Sequence, residues 1–166
     1  MSSYTKVIRF DSLSIWRECQ RLMNKKVVAT NGCFDILHRG HVSCLQKARD
    51  LGDLLIVGVN SDRAVRELKG ENRPVNAQED RAAVIAALEC VDFVVIFDQV
   101  RAAEFLAAVQ PDVWAKGGDY TIDTLDAEEV ATVRQNNGQI EIIPMIEGYS
   151  TTRTIHQLKT EEGDEQ

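Results

Sequence analysis

The stretch Asn31-Gly-Cys-Phe-Asp-Ile-Leu-His-Arg-Gly-His41 decides how this chain is read. It follows a β-branched apolar segment (Val27, Val28) and leads into residues with helical spacing, Val42, Leu45 and Ala48. Two imidazoles, His38 and His41, therefore sit three residues apart where a strand turns into a helix. In an α/β sheet, ligands collect beyond the carboxyl ends of the parallel strands. A helix N-terminus at that point adds unpaired backbone N–H groups that suit an anion. The stretch reads as a phosphate site holding two histidines. Gly40 would let a phosphate approach the backbone, and Asn31 and Asp35 would fix the turn through side-chain-to-backbone bonds.

The same alternation continues along the chain. Strands are expected at Lys26–Thr30, Leu54–Asn60, Val91–Phe97, Val113–Lys116 and Ile140–Pro144, short and rich in Val and Ile. Helical spacing recurs at His41–Leu51, Asp62–Leu68, Ala77–Leu88, Ala102–Val109 and about Thr124–Gln135. A leading helix near Ser12–Met23 and a closing one near Thr151–Leu158 bracket the unit. Five strand–helix alternations imply right-handed crossovers and an α/β fold. The expectation is a single Rossmann-like, doubly wound, five-stranded parallel sheet with helices on both faces. Residues 1–24 form an N-terminal helical extension to it, and residues 160–166 an acidic tail. The dinucleotide fingerprint G-x-G-x-x-G is absent after the first strand, since Gly32 and Gly40 stand too far apart.

Composition narrows the partners. The chain has 166 residues and a net charge of −7, with a pI of about 5.0, which argues against a nucleic-acid footprint. No apolar run is long enough to span a bilayer, and the polar start Met1-Ser-Ser-Tyr-Thr-Lys6 lacks a signal-peptide core, so a cytoplasmic protein without a membrane partner is expected. The four cysteines are scattered and disulfides are not expected; Cys19 and Cys90 read as buried filler. Cys33, His38, His41 and Cys44 have the ligand types of a zinc site, but a strand end and a position one turn inside a helix make four-fold convergence strained.

Three further clusters carry chemistry. Gly148-Tyr-Ser-Thr-Thr-Arg-Thr154 starts the closing helix, with Ser150 as N-cap and Thr151, Thr152 and Arg153 in the first turn; it reads as a di- or triphosphate grip or as simple capping. Leu68-Lys-Gly-Glu-Asn-Arg-Pro74 puts Lys69 and Arg73 on a loop able to close over phosphate. Lys116-Gly-Gly-Asp-Tyr120 ends the fourth expected strand, with Lys116 and Asp119 beside glycines, as a ligand contact or a plain turn. Arg81 reads as an internal ion-pair partner.

With these residues in view, the chain resembles the H-x-G-H nucleotidylyltransferase superfamily. Gly32–His41 matches G-x-F-D-x-x-H-x-G-H, and Ser150–Arg153 matches its second signature. It is similar in particular to the stand-alone form of the D-glycero-β-D-manno-heptose 1-phosphate adenylyltransferases. The likeness runs from about Lys26 to Leu158 through V-N-S-D-R-A-V-R-E-L-K-G-E-N-R-P, V-D-F-V-V-I-F, K-G-G-D-Y and E-G-Y-S-T-T-R. Cys44, in place of an aromatic, and Asn136-Asn-Gly138 depart from the pattern. The resemblance implies transfer of AMP from ATP to a sugar 1-phosphate, giving ADP-heptose and pyrophosphate, with Mg²⁺ carried by the triphosphate rather than by protein side chains. It implies catalysis by His38, His41 and Lys69. Nucleotide contacts would come from Gly32, Cys33, Phe34, Gly40, Lys116, Gly118, Asp119, Tyr149, Ser150, Thr151, Thr152 and Arg153, and acceptor contacts from Asp35, Asn60 and Arg73. Relatives are commonly homodimers. Glycerol-3-phosphate or phosphoethanolamine cytidylyltransferase, FMN adenylyltransferase and a non-catalytic nucleotide sensor are the alternatives.

Overall fold

A computed structural model describes residues 5–118, 120–144, 146, 148, 149 and 151. The chain runs β1 (Val7–Ile8), α1 (Leu13–Leu22), β2 (Val27–Gly32), α2 (Arg39–Arg49), β3 (Leu54–Asn60), α3 (Asp62–Lys69), α4 (Gln78–Ala86), β4 (Phe93–Phe97), α5 (Ala103–Val109), β5 (Val113–Gly117), α6 (Ala127–Gln135) and β6 (Gln139–Ile143). All strands are parallel, in the order β1-β4-β3-β2-β5-β6. From β2 the chain winds outward through β3 and β4, then returns to the other side of β2 for β5 and β6. The winding reverses between β2 and β5, so the crevice of a doubly wound sheet opens at their carboxyl ends.

The sheet has six strands rather than the expected five. Val7 and Ile8 pair with Val94 and Val95, so the N-terminal segment contributes an edge strand as well as a helix. Two residues are too few for periodicity to register. The strands are apolar on both faces because each face is covered. Val28, Val57, Val94 and Ala115 face one layer, with Leu45, Ala48, Ala82 and Ile85 from α2 and α4. Val27, Ala29, Ile56 and Trp114 face the other, with Leu13, Phe105, Leu106 and Val133 from α1, α5 and α6. Cys19 is exposed rather than buried, and all four cysteines are free thiols. Among the described residues, no helix is long and apolar enough to cross a membrane.

Helix starts differ most from expectation. α2 begins at Arg39 because His38 caps it, and histidine is outside the usual set of capping side chains. α6 begins at Ala127 because the Asp126 carboxylate accepts the N–H groups of Glu128 and Glu129 at 3.0 and 3.2 Å. Ile122–Thr124 forms a separate 3₁₀ turn before it. The closing helix falls, apart from Thr151, outside the described residues, as does the acidic tail.

Candidate active site

A cleft of about 430 Å³ lies at the β2/β5 switch point, a size that suits a nucleotide-scale ligand. Its floor is made by Asn31 and Gly32 at the end of β2, Asn60 at the end of β3, and Lys116 and Gly117 at the end of β5. His41, Cys33, Phe34 and Asp35 form one wall, and Leu68, Lys69 and Arg73 another.

The histidines build the start of α2 between them. The His41 backbone N–H donates to Nδ1 of His38, and the His38 backbone N–H donates to Nδ1 of His41, each at 3.3 Å. This is a capping box with imidazoles where Ser and Glu usually stand. The rings stack at 3.8 Å with planes 14° apart. Phe34 meets His41 edge-on at 5.5 Å, and Tyr149 lies 5.9 Å from His38. Burial, aided by the neighbouring His38, pushes His41 down to about 4, and burial also lowers His38. Gly40 is buried here, and a Cβ on it would stand 3.1 Å from the His38 ring and from Tyr149 Cβ. Its missing side chain thus makes room for the stacked pair. Phe34 holds the left-handed region, φ 46°, a strained conformation for a bulky residue.

Asp35 ties this turn to the facing loop. Its side chain is 1% exposed; Oδ2 accepts from Arg73 Nε, while Oδ1 accepts the N–H groups of Val75 (2.7 Å) and Asn76 (3.1 Å). Asn76 Nδ2 returns a bond to the Asp35 carbonyl at 2.8 Å. Arg81 makes a second tie, as an internal ion-pair partner in the sense expected. Its guanidinium donates to Asp62 Oδ1 (2.8 Å), the Cys33 carbonyl (2.5 Å) and the Asn76 carbonyl (3.0 Å). Asn31, expected to brace the turn, instead accepts Trp114 Nε1–H at 3.0 Å. That satisfies an indole buried in the core.

Cations surround the cleft with uneven freedom. Lys69 is exposed in the last turn of α3, which ends on Gly70 at φ 97°. Lys116 is half-buried, 5.1 Å from the Trp114 ring centre and 3.9 Å from Glu129 Oε2. Burial lowers its pKa and Glu129 opposes the shift. Glu129 is itself buried and accepts the Ala102 N–H at 2.7 Å. Arg101, on the loop after β4, lines the cleft 3.6 Å from Asp126. Glu129 and Arg101 were not singled out from sequence. Glu129 carries the signal of a carboxylate on the inward face of a helix, and Arg101 that of a cation just past a strand's carboxyl end. Cys33 lines the cleft with its thiol pushed up by burial.

Thr151 lines the cleft and donates from Oγ1 to the Ile36 carbonyl at 3.2 Å, which sets this residue beside the first signature. Gly118 takes φ 145°, and a Cβ there would enter the Tyr120 ring. His38, Gly118 and Tyr149 are not among the residues that line the cleft. Asp119, Ser150, Thr152 and Arg153 lie outside the described residues. Among the described residues, no three His, Cys, Asp or Glu side chains are grouped to hold a metal, so Cys33, His38, His41 and Cys44 do not form a zinc site.

Residues 29–157 match the profile of the cytidylyltransferase-like family. The chain belongs to that family. Among its cytidylyltransferase-like relatives, the protein named Bifunctional protein HldE from Pelobacter propionicus is 46% identical over 156 residues, covering 94% of this chain and 32% of the relative. The protein of the same name from Campylobacter fetus is 50% identical over 135 residues, covering 81% and 28%. The chain thus spans about a third of the length of these curated relatives. A crystal structure of a lipopolysaccharide core biosynthesis protein from Thermoplasma volcanium is also similar, at 27% identity and a TM-score of 0.60, over 76% of this chain and 99% of that one.

Proposed function

We propose that this chain transfers AMP from ATP to a sugar 1-phosphate, D-glycero-β-D-manno-heptose 1-phosphate, releasing pyrophosphate and forming ADP-heptose. The observation that carries the reading is the histidine-capped start of α2, opening into the switch-point cleft opposite Lys69 and Arg73. The likeness to proteins named HldE and to a lipopolysaccharide core biosynthesis protein supports a sugar-phosphate acceptor.

The acceptor is a phosphate oxygen, ionised at neutral pH, so attack on the α-phosphorus of ATP needs no general base. Catalysis is then alignment of the two phosphates and stabilisation of the charge that develops between them. His41 reaches the α-phosphate from the α2 start, braced by the stacked His38. Lys69 approaches from the end of α3 and Arg73 from the loop after it, held by Asp35, and Asn60 lies at the floor on the acceptor side. Lys116, Gly32, Cys33 and Phe34 take the nucleotide side. Thr151, with Ser150, Thr152 and Arg153 by their sequence pattern, grips the leaving β- and γ-phosphates. Asp119, Gly118, Gly40 and Tyr149 complete that side by contact or by shaping the backbone.

The donor set fits a magnesium ion that arrives on the triphosphate. The carboxylates lining the cleft are engaged: Asp35 by Arg73 and two backbone N–H groups, Asp126 by the start of α6, and Glu129 by Ala102. The chemistry such an ion would supply there is neutralisation of charge on the phosphates that leave.

Pyrophosphate release, measured with ATP and with CTP against a panel of phosphate acceptors, tests the reading. ATP with the heptose 1-phosphate is expected to be fastest. The family's description favours one second reading, CTP as the donor; turnover confined to CTP, with glycerol 3-phosphate or phosphoethanolamine as acceptor, would select it. Nucleotide binding without release on any acceptor would leave a sensor.

A further inference from the structure

Neither histidine of the α2 start has a free Nδ1. Each accepts a backbone N–H, His38 from His41 and His41 from His38. A ring nitrogen that accepts a hydrogen bond carries no hydrogen, so a neutral imidazole so held has its proton on Nε2. An imidazolium would aim an Nδ1–H at a peptide N–H and lose the cap. We propose that His38 and His41 are neutral imidazoles locked with their proton on Nε2 by their reciprocal cap, so that His41 serves the reaction as an Nε2–H donor, His38 positions it, and neither ring brings positive charge to the phosphates.

The surroundings agree. The rings face each other, Phe34 and Tyr149. Among the described residues no carboxylate acts on either ring to favour a second proton, and burial drives both toward the neutral form, at His38 against an opposing backbone hydrogen bond. The carboxylates of the cleft are spent elsewhere, Asp35 on Arg73, Asp126 on Arg101 and α6, and Glu129 on Lys116 and Ala102. The end of α3 and the loop after it contribute cations, Lys69 and Arg73, which oppose further positive charge.

Two consequences follow for the reaction. An imidazole already protonated on Nε2 cannot take a proton there, and giving that proton up would leave an imidazolate, so neither ring works as acid or base. Charge neutralisation then falls to Lys69, Arg73, Arg101 and Lys116, while His41, held in place by His38, supplies a directed hydrogen bond to oxygens that change geometry during transfer. The bonding state is a property of the protein itself, and only its use in catalysis rests on the proposed adenylyl transfer.

Long-range proton–nitrogen correlation on the full chain with ¹⁵N-labelled histidine tests this directly, and a His156→Gln variant assigns the third ring. The expected spectrum has Nδ1 bare and Nε2 protonated for both rings. For His41 it persists from pH 8 to about 5.5, where an ordinary imidazole has already titrated, with and without ATP and Mg²⁺. Titration of either ring near 6.5, an Nδ1–H pattern, or conversion to imidazolium on adding ATP would overturn the proposal. Variants separate the two ring nitrogens. His41→Asn places an acceptor near the Nδ1 position and should keep the melting temperature while losing turnover; His41→Gln reaches the Nε2 position and should keep more turnover at a lower melting temperature. The reverse order would also overturn it. A locked tautomer without pyrophosphate release would sink the adenylyl-transfer reading alone.

Discussion

The two ends of the sheet use carboxylates in opposite ways. At the amino ends, Asp53, Asp92 and Asp112 each stand immediately before a strand and accept a backbone N–H from the neighbouring strand's start. The donors are Lys26 (2.8 Å), Leu55 (2.8 Å) and Val27 (2.7 Å). Arg49 and Arg17 then close over Asp92 and Asp112. The starts of β2 and β3 are thereby tied to their neighbours. At the carboxyl ends, the acids brace loops and leave cations facing a cleft. One end spends its polar groups on the fold, and the other holds them ready for an anion.

Perturbing each end should therefore give different signatures. The largest effect is expected from Asp35→Ala, which leaves Arg73 and two backbone N–H groups unpaired in a buried setting and should cost about 3–5 kcal/mol of stability. Urea unfolding measures it, and a loss under 1 kcal/mol would mean that the strut is dispensable. His41→Ala should raise the barrier to turnover by roughly 2–4 kcal/mol. Weaker ATP binding with turnover intact would deny His41 its part in the transition state. At the other end, Asp112→Ala should lower stability by about 1–3 kcal/mol while leaving kcat/KM unchanged for the folded fraction; an equal loss of activity would erase the contrast. Lys69→Ala, at an exposed position, should leave the melting temperature within the range of a surface change, about 0.5 kcal/mol, yet slow transfer. Its silence in the pyrophosphate assay would remove Lys69 from the site.

Acidity gives the smallest and most diagnostic effect. His41 is depressed to about 4 in the folded chain, against about 6.5 unfolded. The unfolded chain therefore binds more protons between these values, and the stability contributed by His41 is full above pH 6.5 and lost as the pH falls toward 4. Comparing the pH dependence of unfolding for wild type and His41→Asn isolates it, and identical slopes would contradict a buried, neutral His41.

Much of this division was legible in the chain. Val- and Ile-rich runs located β2 through β6, and the strand-to-helix position of His38 and His41 located the cleft before any coordinates. What escaped notice depended on partners distant in sequence. Asp35 looks like a ligand-facing acid until Arg73, Val75 and Asn76 are brought to it across 38 to 41 residues. Glu129 and Lys116 pair only once α6 packs over β5. The start of α2 was read two residues late because imidazoles, not hydroxyls or carboxylates, cap it. Asp53, Asp92 and Asp112 each precede a strand, a pattern visible in one dimension whose meaning needs the neighbouring strand.

The Asp35 strut also bears on how such proteins might be recombined. The loop facing the histidines is fastened by Asp35 to Arg73, Val75 and Asn76, and by Arg81 to Cys33, Asn76 and Asp62. A chimera that imports residues 68–76 from a relative with another acceptor would strand a buried carboxylate against foreign backbone. Its smallest transplantable unit is discontinuous: the loop together with the residues standing at 35 and 81.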